Sequence, residues 1–322
     1  MAFTTPMRIL PFAAAIAFSA ACIALPFAAT PVVNDWIISV AKLVVLAVSW
    51  NIAANAGLIS LGHSAFWGVG SYAAVLAANK LGMPILPAVI AAALAGAVLG
   101  AALAVITGRL RGIFFAIATL ALSEGLRVIA VMLVGVTGGG EGLYLAQSLR
   151  PDVRIVCVVM VCCAVGAVAI SWVLTRTPYQ YACRAMRANE SAAQMLGVNP
   201  VRLRVIVLAL AGALASLAGG VNIWYTGFLD PNIAFDLHIT ILAQIAPILG
   251  GIHTVAGPVV GSFATVFLSE ASRIWLGTKG FSLLVYGVAL IVCILFMPHG
   301  MWGAYRKFHA RDKQRAVAGR AA

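Results

Sequence analysis

RTPYQYACRAMRANESAAQMLGVNPVRLR, running from Arg176 to Arg204 between two long apolar runs, decides how the rest of the chain is read. It sets Arg176, Arg184, Arg187, Arg202 and Arg204 against a single acid, Glu190. Such a segment must lie in water, and its arginines assign it to the cytoplasmic side of a membrane. It is also longer than the roughly 2–8 residues that a bare turn between helices needs. A solvated amphipathic connector would account for the charge. A docking surface for a cytosolic partner accounts for the length as well.

The composition agrees with a membrane protein. Of 322 residues, 63% are hydrophobic and 9% charged, against about 25% charged in soluble domains. The formal charge of +12 does not imply nucleic acid, because the basic residues collect at Arg109–Arg111, in the 176–204 loop and in the tail from Arg306 to Arg320. That distribution is a topology signal. The six cysteines show no C-x-x-C spacing and read as small apolar filler.

Apolar runs between charged or Pro/Gly breaks predict an all-α, polytopic membrane protein with about ten transmembrane helices. They fall near 9–29, 36–54, 64–79, 84–107, 113–134, 155–174, 205–226, 237–251, 255–272 and 281–297. The runs from 64, 237 and 255 are short, as helices beside a transport pathway often are. Counting crossings places every basic cluster, and both termini, on the cytoplasmic side. The first run, preceded by Arg8 and followed by small residues at Ser19–Cys22, has some features of a secretory signal. Its length favours an uncleaved span. The blocks 36–134 and 205–297 enter from opposite sides, which suggests an inverted repeat.

Three segments carry finer information. GLISLGHSAFWGVGSYAA (Gly57–Ala74) places Ser60, His63 and Ser64 in a glycine-broken stretch just after Asn51 and Asn55. These five polar residues suit either a translocation path or interhelical hydrogen bonds. TGRLRGIFFAIATLALSEGLRV followed by VTGGGEGL (Thr107–Leu143) puts Glu124 and Arg127 one turn apart within an apolar run. A charge there must face protein or water, and a mutually neutralising structural pair is the simpler reading beside a pathway charge. The third segment runs from RAMRANESAAQMLGVNPVRLR through LAGG (Leu217–Gly220) to LGGIHTVAGPVVGS (Leu249–Ser262), and the set closes on FMPHGMWG (Phe296–Gly303).

In this order, these motifs resemble the permease subunits of branched-chain amino acid ABC importers, the LivH/LivM family, particularly the larger LivM-like subunit. The resemblance implies a single transmembrane permease domain over 1–322, with a cytosolic coupling loop at 176–204 and a basic cytosolic tail at 304–322. Within the loop, Glu190-Ser-Ala-Ala-Gln-Met-Leu-Gly197 resembles the family's Glu-Ala-Ala…Gly element, which seats in a cleft of the ATPase. Arg184, Arg187, Asn189, Glu190, Ala192, Ala193 and Gly197 are the residues it nominates. Here Glu190 stands one residue farther from the glycine, and Asn199-Pro200 replaces the usual later Leu-Pro. His253 occupies a turn where the family usually has another glycine.

The resemblance further implies a bacterial inner membrane, a second homologous permease, two P-loop ATPases and a periplasmic substrate-binding protein. ATP and Mg would reside on the ATPases, with no cofactor or metal on this chain. Its own sequence has no G-x-x-x-x-G-K-[ST] and no H-E-x-x-H, so neither P-loop hydrolysis nor zinc proteolysis fits, and no enzyme is expected. Leucine, isoleucine or valine is the expected cargo. The alternatives are urea, amides or aromatic acids in the same class, or an ion-coupled secondary transporter built around Glu124.

Overall fold

The computed structural model describes residues 30–276, with short pieces at 26–27, 284, 287–288, 291 and 300–303. The expected run at 9–29, most of that at 281–297 and the basic tail lie outside the described residues. Each of the other eight runs falls on a helix: α1 (Pro31–Asn55), α2 (His63–Leu81), α3 (Ile85–Ile106), α4 (Ile113–Met132), α5 (Val153–Thr175), and, after the loop helices α6 (Pro178–Ala188) and α7 (Glu190–Met195), α8 (Pro200–Thr226), α9 (Leu237–Gly250) and α10 (Ala256–Leu276). Among the described residues, six segments are long and apolar enough to cross a membrane.

Two helices start earlier than their apolar runs. Pro31 and Pro200 each occupy the first helical turn, where a missing N–H costs nothing. Asn199 caps α8 by accepting from the Arg202 backbone N–H at 3.0 Å. At the other end of α8, the chain breaks over 227–236 before α9 begins. A two-residue strand, β2 (Phe228–Leu229), pairs antiparallel with β1 (Leu143–Tyr144) across this break. With only 14 residues, α9 spans about 21 Å and is short of a roughly 30 Å hydrocarbon core. The earlier break, 56–62, separates α1 from α2 in the same manner.

Helix α8 lies against α2 and α3, and α1 against α5, α8, α9 and α10. The α3–α8 seam is lined by small residues. A methyl group on Gly96 would overlap the Gly212 carbonyl, and one on Gly100 the Leu208 carbonyl. Gly70 and Gly62 are likewise closed by the Ser216 and Thr119 carbonyls. Between helices in lipid, where apolar burial supplies little drive, such backbone approach supplies the packing.

Candidate functional site: the cytosolic loop and the polar interior

The loop 176–204 is folded throughout. Arg176 closes α5 with its guanidinium 3.9 Å over the Trp172 ring. Asn189 then caps α7, its side chain accepting from the Ala192 N–H at 3.1 Å. Gly197 ends α7 with φ 85°, a left-handed conformation that favours glycine. The inner side of the loop is apolar: Cys183, Met186 and Ala193 are buried. Burial pushes the Cys183 thiol up to about 11, so it is a packing residue rather than a reactive one. Arg184, Arg187 and Ala192 are exposed.

Glu190 points into the protein. One of its oxygens receives Arg204 Nη2 at 3.0 Å and Arg111 Nε at 2.9 Å. Arg204 is itself buried, and its Nη1 donates to the carbonyls of Thr107 (3.3 Å) and Leu110 (2.8 Å). The start of α7 is thereby clamped to the corner between α3 and α4. Outward, Met195 and Leu196 stand 92% and 80% exposed beside Ala192 and Gly197. The motif reading passed over these two residues. Their position immediately before a helix-ending glycine was the available signal. The outer side of α7 is thus exposed at Ala192, Met195, Leu196 and Gly197, while a buried ionic clamp holds its base.

Helix α6 also touches the first helix break. Gly57, with φ 80°, packs against the Arg187 backbone and side chain. Nearby, His253 adopts φ 65° in the turn between α9 and α10. Its N–H donates to Asn51 Oδ1 at 2.9 Å, and Asn51 Nδ2 donates to the Thr254 carbonyl at 2.9 Å. Burial, with Arg187 and Arg184 adding to it, lowers His253 to about 4.

Asn51, Asn55, Ser60, His63 and Ser64 are all buried in the structure, and they fall into two groups. Asn51 ties α1 to the 251–254 turn. Ser64 joins α2, α4 and α9: its Oγ lies 2.7 Å from Ser123 Oγ and 3.0 Å from Thr240 Oγ1, and its N–H donates to Thr240 at 2.9 Å. Ser60 supports the break itself, its carbonyl accepting from Trp50 Nε1 at 3.0 Å. Both ring nitrogens of His63 and the Asn55 Oδ1 find no partner among the described residues. A small void lined by Asn55, Ser171, Tyr179 and Gln180 adjoins the latter. Glu124 and Arg127 do pair, at 2.9 Å, and Arg127 Nη1 donates to Asn232 Oδ1 at 3.1 Å. This pair is half-exposed on the subunit surface.

One residue escaped the motif reading altogether. Lys42 lies midway along α1, its Nζ donating to Asn222 Oδ1 of α8 at 3.2 Å. A lone lysine inside the apolar run 36–54 was its signal.

The profile of the family described as branched-chain amino acid transport system / permease component matches residues 32–295. The high-affinity branched-chain amino acid transport system permease protein LivM of Salmonella typhimurium is 24% identical over 80% of this chain and 67% of its own length. The corresponding LivH protein of Escherichia coli is 29% identical over 38% of this chain and 39% of its own. The autoinducer 2 import system permease protein LsrC of Photorhabdus laumondii is 30% identical over 30% of each chain. No solved structure matches.

Proposed function

The chain belongs to the permease family of branched-chain amino acid transport systems, and from that membership we propose that it is one half of the membrane path of an ATP-driven importer. It is a transport component and not an enzyme. A second, homologous permease would complete the path in a bacterial inner membrane. Two P-loop ATPases would supply ATP hydrolysis, and a periplasmic binding protein would deliver cargo. Both chain termini would lie in the cytoplasm. Leucine, isoleucine and valine are the proposed cargo, although a relative named for autoinducer 2 import means that the fold itself does not dictate it.

The observation that carries this reading is the loop. Its tip (Ala192, Met195, Leu196 and Gly197) is exposed, while Glu190 and Arg204 fix its base to the α3–α4 corner and Arg187 contacts the 56–62 break. Force applied at the tip is therefore transmitted to two helix junctions. ATPase closure would push there, and the breaks at 56–62 and 227–236 would absorb the backbone change. Helix breaks are tolerated in membranes where they are buried in protein or line a cavity.

Coupling is tested by Gly197→Pro and Ala192→Arg. Proline cannot adopt φ 85°, and arginine would not enter a cleft shaped for a methyl group. Both variants are expected to insert normally yet lose binding-protein-stimulated ATP hydrolysis in proteoliposomes of the complete transporter. Full stimulation with full uptake would sink the docking assignment. Uptake driven by a proton or sodium gradient without ATP would overturn the energy source as well.

A further inference from the structure

Lys42 sits eleven residues from the start of α1 and thirteen from its end, roughly 16 and 20 Å along the axis. A charge placed there costs about 2.5–3.5 kcal/mol on insertion scales and by default marks a function. Two buried or half-buried arginines of this chain are neutralised: Arg204 meets Glu190, and Arg127 meets Glu124. Lys42 instead meets a neutral amide, Asn222, and among the described residues no carboxylate lies within ion-pair distance of Nζ.

The surroundings of Lys42 are polar on one side. Asp35, Ser39 and Lys42 follow the i, i+4, i+7 spacing of one helix face. Asn222, Tyr225 and Thr226 form the facing stripe on α8, with Tyr225 donating to Asp35 Oδ1 at 2.8 Å. Asp35 is exposed, Ser39 and Lys42 are partly exposed, and every residue from Leu43 to Ala56 is buried. Lys42 is thus the deepest point of this face with any surface. The shared polar face thus runs from an exposed acid, Asp35, to a base about two helical turns farther along α1.

We propose that the polar face shared by α1 and α8 lies on the path of the cargo from outside, and that Lys42, held by Asn222, receives the carboxylate of that cargo. This rests on the importer reading above and adds a chemical requirement to it: the solute carries a carboxylate. The ammonium donates to the carboxylate with the two N–H groups that Asn222 leaves over. Asn222 keeps the stem from folding back along α1. Among the described residues no acid pairs with Lys42, so an arriving carboxylate displaces no ion pair. Asp35, at the exposed end of this face, attracts the ammonium end of a zwitterion first and orients its carboxylate inward.

The test uses the complete transporter, with all partner subunits, in proteoliposomes supplied with ATP and loaded binding protein. Lys42→Met is expected to lower radiolabelled leucine uptake about ten-fold or more, the weight of one charge-assisted contact. Lys42→Arg should retain most of it. If Lys42→Met fails to assemble, Lys42→Cys decides. Reaction with aminoethyl methanethiosulfonate, which restores an ammonium, should recover uptake, and the neutral methyl reagent should not. Wild type treated identically controls for the natural cysteines. Equal recovery with both reagents, or unaltered leucine uptake in Lys42→Met, overturns the proposal and leaves the importer reading standing. A wild-type transporter that carries urea but no carboxylate-bearing solute overturns both this and the amino acid cargo.

Discussion

Two Glu–Arg pairs of nearly equal length occupy opposite physical situations in this molecule. Glu190–Arg204 closes at 3.0 Å with side chains 13% and 4% exposed. Glu124–Arg127 closes at 2.9 Å with side chains 48% and 35% exposed. The first is drawn into the protein between α3, α7 and α8, and adds two carbonyls and Arg111 to its network. The second lies along one helix and borrows a single amide from Asn232. Distance alone therefore says nothing about what each pair contributes. Burial does, because the cost of an abandoned charge scales with what replaces its water.

The largest expected effect lies at the buried clamp. Glu190→Ala leaves Arg204 buried with only carbonyls for company, a change that typically costs about 3–5 kcal/mol. The thermal midpoint of the purified subunit in detergent should fall clearly, and the loop should become accessible to protease. Glu190→Ala combined with Arg204→Met should recover part of the loss, since an apolar pair no longer strands a charge. If the single variant melts with wild type, the clamp is not structural and the two pairs do not differ as their burial implies.

Much of this contrast could be read from the chain, and some could not. The helices followed from apolar runs because each is long or bounded by proline, glycine or charge. The loop followed from five arginines in one short segment. The inward turn of Glu190 did not, because Arg111 comes from the α3–α4 corner and Arg204, 14 residues on in the same segment, is not at a helical spacing that pairs them. Asn51 and Ser64 were legible as polar residues, but not their partners, which lie 59 positions away in α4 (Ser123) or 176 to 203 away in α9 and the turn after it. Lys42 was legible and passed over: hydropathy averaging over 36–54 hid a single charge among apolar neighbours. Met195 and Leu196 were not singled out, because residue type alone does not say which side of a loop helix faces outward.

A middling effect is expected at His253, where the loop's uncompensated arginines are felt. Glu190 serves Arg204 and Arg111, so the fields of Arg184 and Arg187 reach the His253 ring. Its left-handed backbone, φ 65°, costs a non-glycine residue about 1–2 kcal/mol. His253→Gly should relieve about 1 kcal/mol of this, because the N–H to Asn51 Oδ1 survives the change. The ring adds a pH dependence. Folded His253 titrates near 4, and an unfolded histidine near 6.5. Between these values the unfolded chain binds more protons, so stability is full above about 6.5 and falls as pH drops through 4. Thermal midpoints from pH 7.5 to 4.5 should therefore decline less in His253→Gly. Identical slopes would show that neither the burial of the ring nor the arginines beside it lower its titration.

The smallest effect is expected at Glu124, and its size reports what lies beyond the subunit. Glu124→Gln keeps the shape of the side chain and leaves Arg127 with Asn232. If the exposed side of the pair meets water or a polar partner surface, screening limits the loss to about 1 kcal/mol or less. If it met acyl chains, the freed guanidinium would cost about 2.5–3.5 kcal/mol, close to the loss at the buried clamp. Comparing Glu124→Gln in the detergent-solubilised subunit and in the assembled transporter separates the cases. A small shift in both places the pair beside water. A small shift alone but a large one on assembly means that a partner chain buries it, and the contrast with Glu190–Arg204 then holds only for the isolated subunit. A large shift in both would show that the pair already stands in an apolar medium, and exposure on a lone chain would have misjudged it.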